Sequence, residues 1–128
     1  MEKILTRDEI LAADDLKTKT VQVPEWGGSV KVRTLMGYQR DRFEASIVKG
    51  KVVSMENLRA KLVAESVVSE KGKKLFTTKD VESLGKKSAR ALDKVFAVAQ
   101  RLSGLTPADV DELAKNLPKG QDEDSVSN

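Results

Sequence analysis

The sequence predicts an α+β fold: a mainly helical single domain of about five to six helices, with one N-terminal β-hairpin and a disordered acidic C-terminal tail. Three observations carry this prediction. Apolar and polar residues alternate on both sides of Gly27-Gly28, apolar residues recur every three or four positions over residues 36–117, and residues 118–128 are almost free of them. A chain of 128 residues suits one domain. We expect the domain to span residues 1–117 and the tail residues 118–128.

The helices are predicted from their start signals and periods. Thr6 and Glu9 form a Thr-x-x-Glu capping box, which predicts a first helix over residues 7–13. Thr77 and Gly85 bound a short helix that carries Val81 and Leu84. Longer apolar periods predict four further helices, over residues 36–49, 55–68, 87–103 and 106–117.

The hairpin is predicted over residues 20–34, with Gly27-Gly28 as a two-residue turn. That turn would pair Trp26 with Ser29, Val23 with Val32 and Val21 with Thr34. It places Val21, Val23, Val30 and Val32 on one face, and residues such as Pro24 and Arg33 on the other. An isolated two-stranded ribbon is marginal in water, so other elements must cover the valine face.

Trp26, the only tryptophan, has two open interpretations. We expect it to pack against the first or second helix, because buried aromatic area stabilises a small core. If it is largely exposed instead, it becomes the leading candidate for contact with a client protein or a second copy.

Composition argues against most enzyme classes. The chain has neither cysteine nor histidine, which removes thiol nucleophiles, disulfides and the usual zinc ligands and general base. Neither GxxxxGK[ST] nor GxGxxG occurs. We therefore expect no catalytic, cofactor-binding or metal-binding residue. The charged N-terminal segment is neither a signal peptide nor a membrane span, so we expect a soluble intracellular protein without membrane contact.

Charge is unevenly spread along the chain. Residues 49–99 hold 12 Lys/Arg against 6 Asp/Glu, whereas residues 100–128 hold 3 against 6. A basic stretch can mark an anionic partner, but only five aromatic residues exist and none interleaves with the lysines, so nucleic-acid binding is disfavoured. The nucleic-acid candidates are Lys71, Lys73, Lys74, Lys86, Lys87 and Arg90.

The candidate residues for protein interaction lie in the hairpin and two helices. In the helix over residues 87–103, the apolar stripe serves either a partner or the core, and core packing is favoured. The candidates are Pro24, Trp26, Arg33, Tyr38, Val95 and Phe96.

Three stretches carry a resemblance to a known family. They are "ILTRDEILAADDLKTKTVQVPEWGGSVKVRTLMGYQRDRFEASIVKG", "NLRAKLVAESVV" and "LGKKSARALDKVFAVAQRLSGLTPADVDELAKN". Over about residues 3 to 117, the order of capped helix, polar connector, hairpin and helices resembles the tail assembly chaperones of long, flexible-tailed bacteriophages.

The resemblance implies a non-enzymatic protein of the infected cell's cytoplasm. It would hold the tape measure protein soluble while tail tube subunits polymerise around it, and would be absent from the mature virion. A frameshifted longer form is implied to contact the tape measure or tail tube protein. Leu117-Pro118-Lys119 fits a C-CCA-AAG slip site if the codons are CUC, CCA and AAG. Self-association is a further expectation. The alternatives are a head–tail or tail completion protein retained in the virion, and a small nucleic-acid-binding regulator.

Overall fold

A computed structural model describes residues 2–49 and 52–105 and confirms the predicted α+β class. Within these ranges five helices accompany a three-stranded antiparallel sheet and a small second hairpin. The helices are α1 (Arg7–Ala12), α2 (Gly37–Ile47), α3 (Leu58–Ser66), α4 (Val81–Leu84) and α5 (Ala89–Leu102). The strands are β1 (Thr18–Val23), β2 (Gly28–Arg33), β3 (Val48–Lys49), β4 (Val52–Val53) and β5 (Val67–Val68). The predicted helix over 106–117 and the tail 118–128 lie outside the described residues.

The capping box that predicted α1 is confirmed. The Glu9 amide donates to Thr6 Oγ1 at 3.2 Å, and the Thr6 amide donates to Glu9 Oε1 at 3.0 Å. Both ends of the box therefore satisfy amides that would otherwise lack partners at the start of the helix.

The predicted hairpin register is wrong, although the predicted face is right. A 3₁₀ turn over Pro24–Trp26 connects the strands, and Gly28 already belongs to β2. Val21 therefore pairs with Val30, and Val23 with Gly28. The slip is by an even number of residues, which preserves side-chain alternation, so the four valines still share one face.

Two predicted helices end earlier than expected. The helix predicted to Val68 ends at Ser66, and Val67–Val68 forms β5, which pairs with β2 through Val32↔Val67 and Lys31↔Val68. The helix predicted to residue 49 ends at Ile47, where Val48–Lys49 pairs with Val52–Val53. In both places valine follows the helix, and its β-branched side chain favours extended backbone.

The core lies between the valine face of the sheet and helices α3 and α5. Val23 and Val32 are fully buried on the sheet side. Facing them, α5 buries an apolar stripe that consists of Ala91, Leu92, Val95, Val98 and Ala99. The hairpin is thus covered by helices, as its marginal stability in isolation requires.

Gly27 and Gly28 form a matched pair for testing the turn. Gly27 has φ 77° and closes the 3₁₀ turn, whereas Gly28 is extended, and at both positions a Cβ atom would have open space around it to 4 Å. Gly27→Ala should lower the free energy of unfolding by about 1–2 kcal/mol, because an L side chain is strained at that φ. Gly28→Ala should change it by less than about 0.5 kcal/mol. Urea unfolding measures both, and equal losses would contradict the observed turn.

Candidate protein-interaction surfaces

The six candidate residues from the sequence lie in several different environments. Pro24 and Trp26 form the 3₁₀ turn, Arg33 ends β2, and Tyr38 lies in the first turn of α2. Val95 and Phe96 lie on α5, where Val95 is fully buried and Phe96 is partly buried against the core. Val95 thus fills the core, the role that the sequence favoured for this stripe.

Trp26 is partly buried and packs against the hydrophobic core. It borders an open depression of about 400 Å³. The depression is lined by Glu25, Trp26, Phe76, Leu84 and Lys87. The apolar residues that share it with Trp26 are Phe76, from the segment after β5, and Leu84, from α4.

Three cations act around this depression. Lys87 lines it, and Lys94 Nζ lies 3.3 Å from Glu25 Oε1. The pKa of Glu25 is lowered, first by a hydrogen bond from its own backbone amide and further by Lys94 and Arg90. Glu25 is therefore held as a carboxylate among positive side chains.

Arg33 has a structural contact that the sequence did not reveal. Its guanidinium donates to the Gly72 carbonyl oxygen at 2.7 Å and ties β2 to the turn that follows β5. Gly72 adopts φ 83°, a conformation that favours glycine. The partly buried Arg33 is thus occupied in holding this turn.

Tyr38 is 61% exposed and stacks with Arg42, whose guanidinium carbon lies 5.4 Å from the ring centroid. Arg42 in turn binds Glu65 with two hydrogen bonds of 2.7 Å each, and Lys74 Nζ reaches the same carboxylate at 3.2 Å. Sequence reasoning missed this cluster. The signal was Glu65 itself, a carboxylate in the middle of the apolar run "LVAESVV".

The Glu65 carboxylate is buried yet ionised. Burial, the largest influence, would raise the pKa of Glu65, but hydrogen bonding from Arg42 and the charge and hydrogen bond of Lys74 outweigh it and leave that pKa below its usual value. A folded pKa below the unfolded one means that Glu65 stabilises the fold above the unfolded pKa of about 4.3. That stabilisation is lost as the pH falls through the folded pKa.

The N-terminal segment exposes a group of large apolar side chains that sequence reasoning had not assigned to any surface. No residue of α1 is buried. The exposed fractions are 86% for Ile4, 54% for Leu5, 57% for Ile10 and 68% for Leu11. We call these four residues the α1 apolar group. No local signal in the sequence separates these residues from buried apolar residues, because exposure depends on what the rest of the chain places beside them.

Neither a metal centre nor a membrane-spanning helix is visible in the described parts of the chain. Across residues 2–49 and 52–105, no three His, Cys, Asp or Glu side chains gather closely enough to hold a metal ion. In the same ranges, no helix combines the length and the apolar character needed to cross a membrane.

Comparison with known proteins identifies the family. Residues 6–116 match a family model described as phage tail assembly chaperone. The chain belongs to this family. Among solved structures, that of the bacteriophage HK97 tail assembly chaperone is similar, with a TM-score of 0.55 and 20% identity, over 74% of this chain and 90% of that chain. At that identity the likeness concerns the fold. No curated protein matches the sequence.

The Arg42–Glu65–Lys74 cluster makes a testable contribution to the stability of this chaperone. Glu65→Gln should lower the free energy of unfolding at neutral pH by about 1.5–3 kcal/mol, because charge-assisted hydrogen bonds are lost in a buried site. The variant should also lose less stability than the parent between neutral and acidic pH.

The control is Glu44→Gln, which removes the half-exposed pair with Arg40 on α2. Its loss should stay within about 0.5 kcal/mol. Urea unfolding at several pH values compares the two variants. If both had the same pH dependence as the parent, Glu65 would not be the group that links stability to pH.

Proposed function

We propose that this chaperone binds the tape measure protein and keeps it soluble while tail tube subunits polymerise around it. Membership of the phage tail assembly chaperone family supports the proposal. The structural observation that carries it is the α1 apolar group, which is exposed on the capped helix α1 and on the two residues just before its N-cap. Exposed apolar groups of this kind are typical of surfaces that bind other proteins.

The size of the α1 apolar group suits weak and replaceable binding. Complete burial of four aliphatic side chains would contribute at most about 6–12 kcal/mol. Association itself costs about 4–15 kcal/mol in lost translational, rotational and side-chain freedom. The small difference favours a complex that forms at high local concentration and dissociates when tube subunits compete for the same client.

The proposed action is binding alone, without catalysis. A chain without histidine or cysteine lacks the usual general base and the strongest side-chain nucleophile. We place it in the cytoplasm of the infected cell and outside the finished particle. Mass spectrometry of purified virions tests this: its presence there in stoichiometric amounts would favour a retained tail completion protein.

A longer form that contacts the tail tube protein belongs to the same proposal. It would arise by ribosomal slippage at the codons of Leu117-Pro118-Lys119. The nucleotide sequence checks this directly. Codons other than CUC, CCA and AAG, together with the absence of another slip site downstream, would contradict this route to the longer form.

Co-expression with the tape measure protein tests the central claim. The parent chain should raise the soluble fraction of the tape measure protein and co-purify with it. Ile4→Ser with Leu11→Ser should abolish most of both effects, because the two most exposed side chains of the α1 apolar group lose their apolar surface. Since none of α1 is buried, the fold should survive the change.

The matched control is Met55→Ser with Leu75→Ser, which removes two other large side chains, 47% and 52% exposed. This variant should retain client binding. Absence of rescue by the parent chain would refute the proposed function, whereas rescue by the α1 variant would refute only the assignment of the surface.

A further inference from the structure

The depression beside Trp26 is a second surface, separate from the α1 apolar group. Trp26 and Phe76 are partly buried, Leu84 is 6% exposed, and together they give the depression an apolar floor. The 3₁₀ turn that carries Trp26 is closed by a 3.0 Å hydrogen bond from the Gly27 amide to the Pro24 carbonyl. The backbone that carries the indole is therefore fixed, and the indole itself packs against the core before any partner arrives.

The charges around this floor are unbalanced. Lys87 lines the depression, Lys94 pairs with Glu25, and Arg90 is close enough to act on the same carboxylate. Three cations thus surround one carboxylate. An apolar floor within such a rim is complementary to apolar side chains flanked by carboxylates.

We propose that the Trp26 depression binds an acidic segment of a partner protein, with an apolar side chain on Trp26 and Phe76 and carboxylates facing Lys87 and Arg90. The segment's apolar side chain supplies most of the affinity through contact with the aromatic surface. Its carboxylates mainly raise the association rate and the specificity. This inference does not depend on the α1 apolar group or on the identity of the client.

Two other occupants fit the depression less well. A nucleic acid needs aromatic faces open for stacking along a basic track, whereas Trp26 and Phe76 both pack partly into the core. Residues 3–12 of a second copy, which hold the α1 apolar group, carry no net charge, because Lys3 pairs with Glu9 and Arg7 with Asp8.

Trp26 fluorescence tests the proposal in the full chain, since it is the only tryptophan. The probe is a tryptophan-free peptide of about four helical turns with leucine at helical spacing and glutamate elsewhere. The control peptide replaces every glutamate by lysine. The acidic peptide should change the emission saturably, with binding that weakens as salt increases, and the basic peptide should have no effect.

Charge reversal gives the matched variants. Lys87→Glu with Arg90→Glu should weaken binding of the acidic peptide about tenfold or more, since two attractive contacts become repulsive. Carboxylates at the start of α5 favour the helix, so the fold should be retained. Lys17→Glu with Lys19→Glu makes the same charge change at the far end of the hairpin and should leave binding unchanged.

Three results would overturn the proposal. Equal changes in emission with the acidic and the basic peptide would show that binding does not depend on the charge of the segment. Saturable quenching by a DNA oligonucleotide at physiological salt would assign the depression to nucleic acid. A change in emission with protein concentration alone would show that a second copy occupies it.

Discussion

The structure depends on burying one short segment from every side. Residues 62–68 are all buried, through the end of α3 and the whole of β5. Packing of α2, α4 and α5 against α3, and of β2 against β5, encloses this segment. A helix enclosed in this way cannot leave a polar group without a partner, because each such group would cost several kcal/mol. The two polar side chains within it, Glu65 and Ser66, are accordingly hydrogen-bonded.

Burial of the helix end explains the unusual position of Gln39. Because the chain leaves the helix after Ser66, the Glu65 carbonyl has lost its place in the helical ladder, and Gln39 Nε2 donates to it at 3.0 Å. The other end of the same amide accepts from the Met36 amide at 2.9 Å. One buried side chain therefore joins the end of α3 to the start of α2. Together with the Arg42–Glu65 pair, it fixes how α2 lies on α3.

Sequence reasoning recovered what depends on local chemistry. The capping box at Thr6, the period of α5 and the shared valine face are properties of neighbouring residues, and all are present in the structure. The predicted hairpin register was wrong because the turn is formed by Pro24–Trp26. Taken alone, Gly27-Gly28 suits a two-residue hairpin turn, and the prediction was based on that pair. The predicted end of α3 was wrong because a continuous buried apolar run has neither a helical nor a strand period, so it does not indicate where the helix stops.

The candidate surfaces were harder to predict, because they depend on contacts between distant segments. Trp26 meets Phe76, Leu84 and Lys87 only after the chain has folded, and no local pattern records that proximity. Exposure is equally non-local: whether Ile10 and Leu11 are covered depends on what the rest of the chain places beside them. Their apolar character alone favours burial.

The contrast between α3 and α1 connects the fold to the work of an assembly chaperone. The buried α3 segment holds its polar groups by specific bonds, whereas α1 is a six-residue helix with no buried residue. A helix that short has little stability of its own, and its capping box satisfies only some of the unpaired backbone groups at its ends. A partner that covers the α1 apolar group would therefore also stabilise the helix. Release would return the segment to its starting state without disturbing the core, which is the property that a reusable binding surface requires.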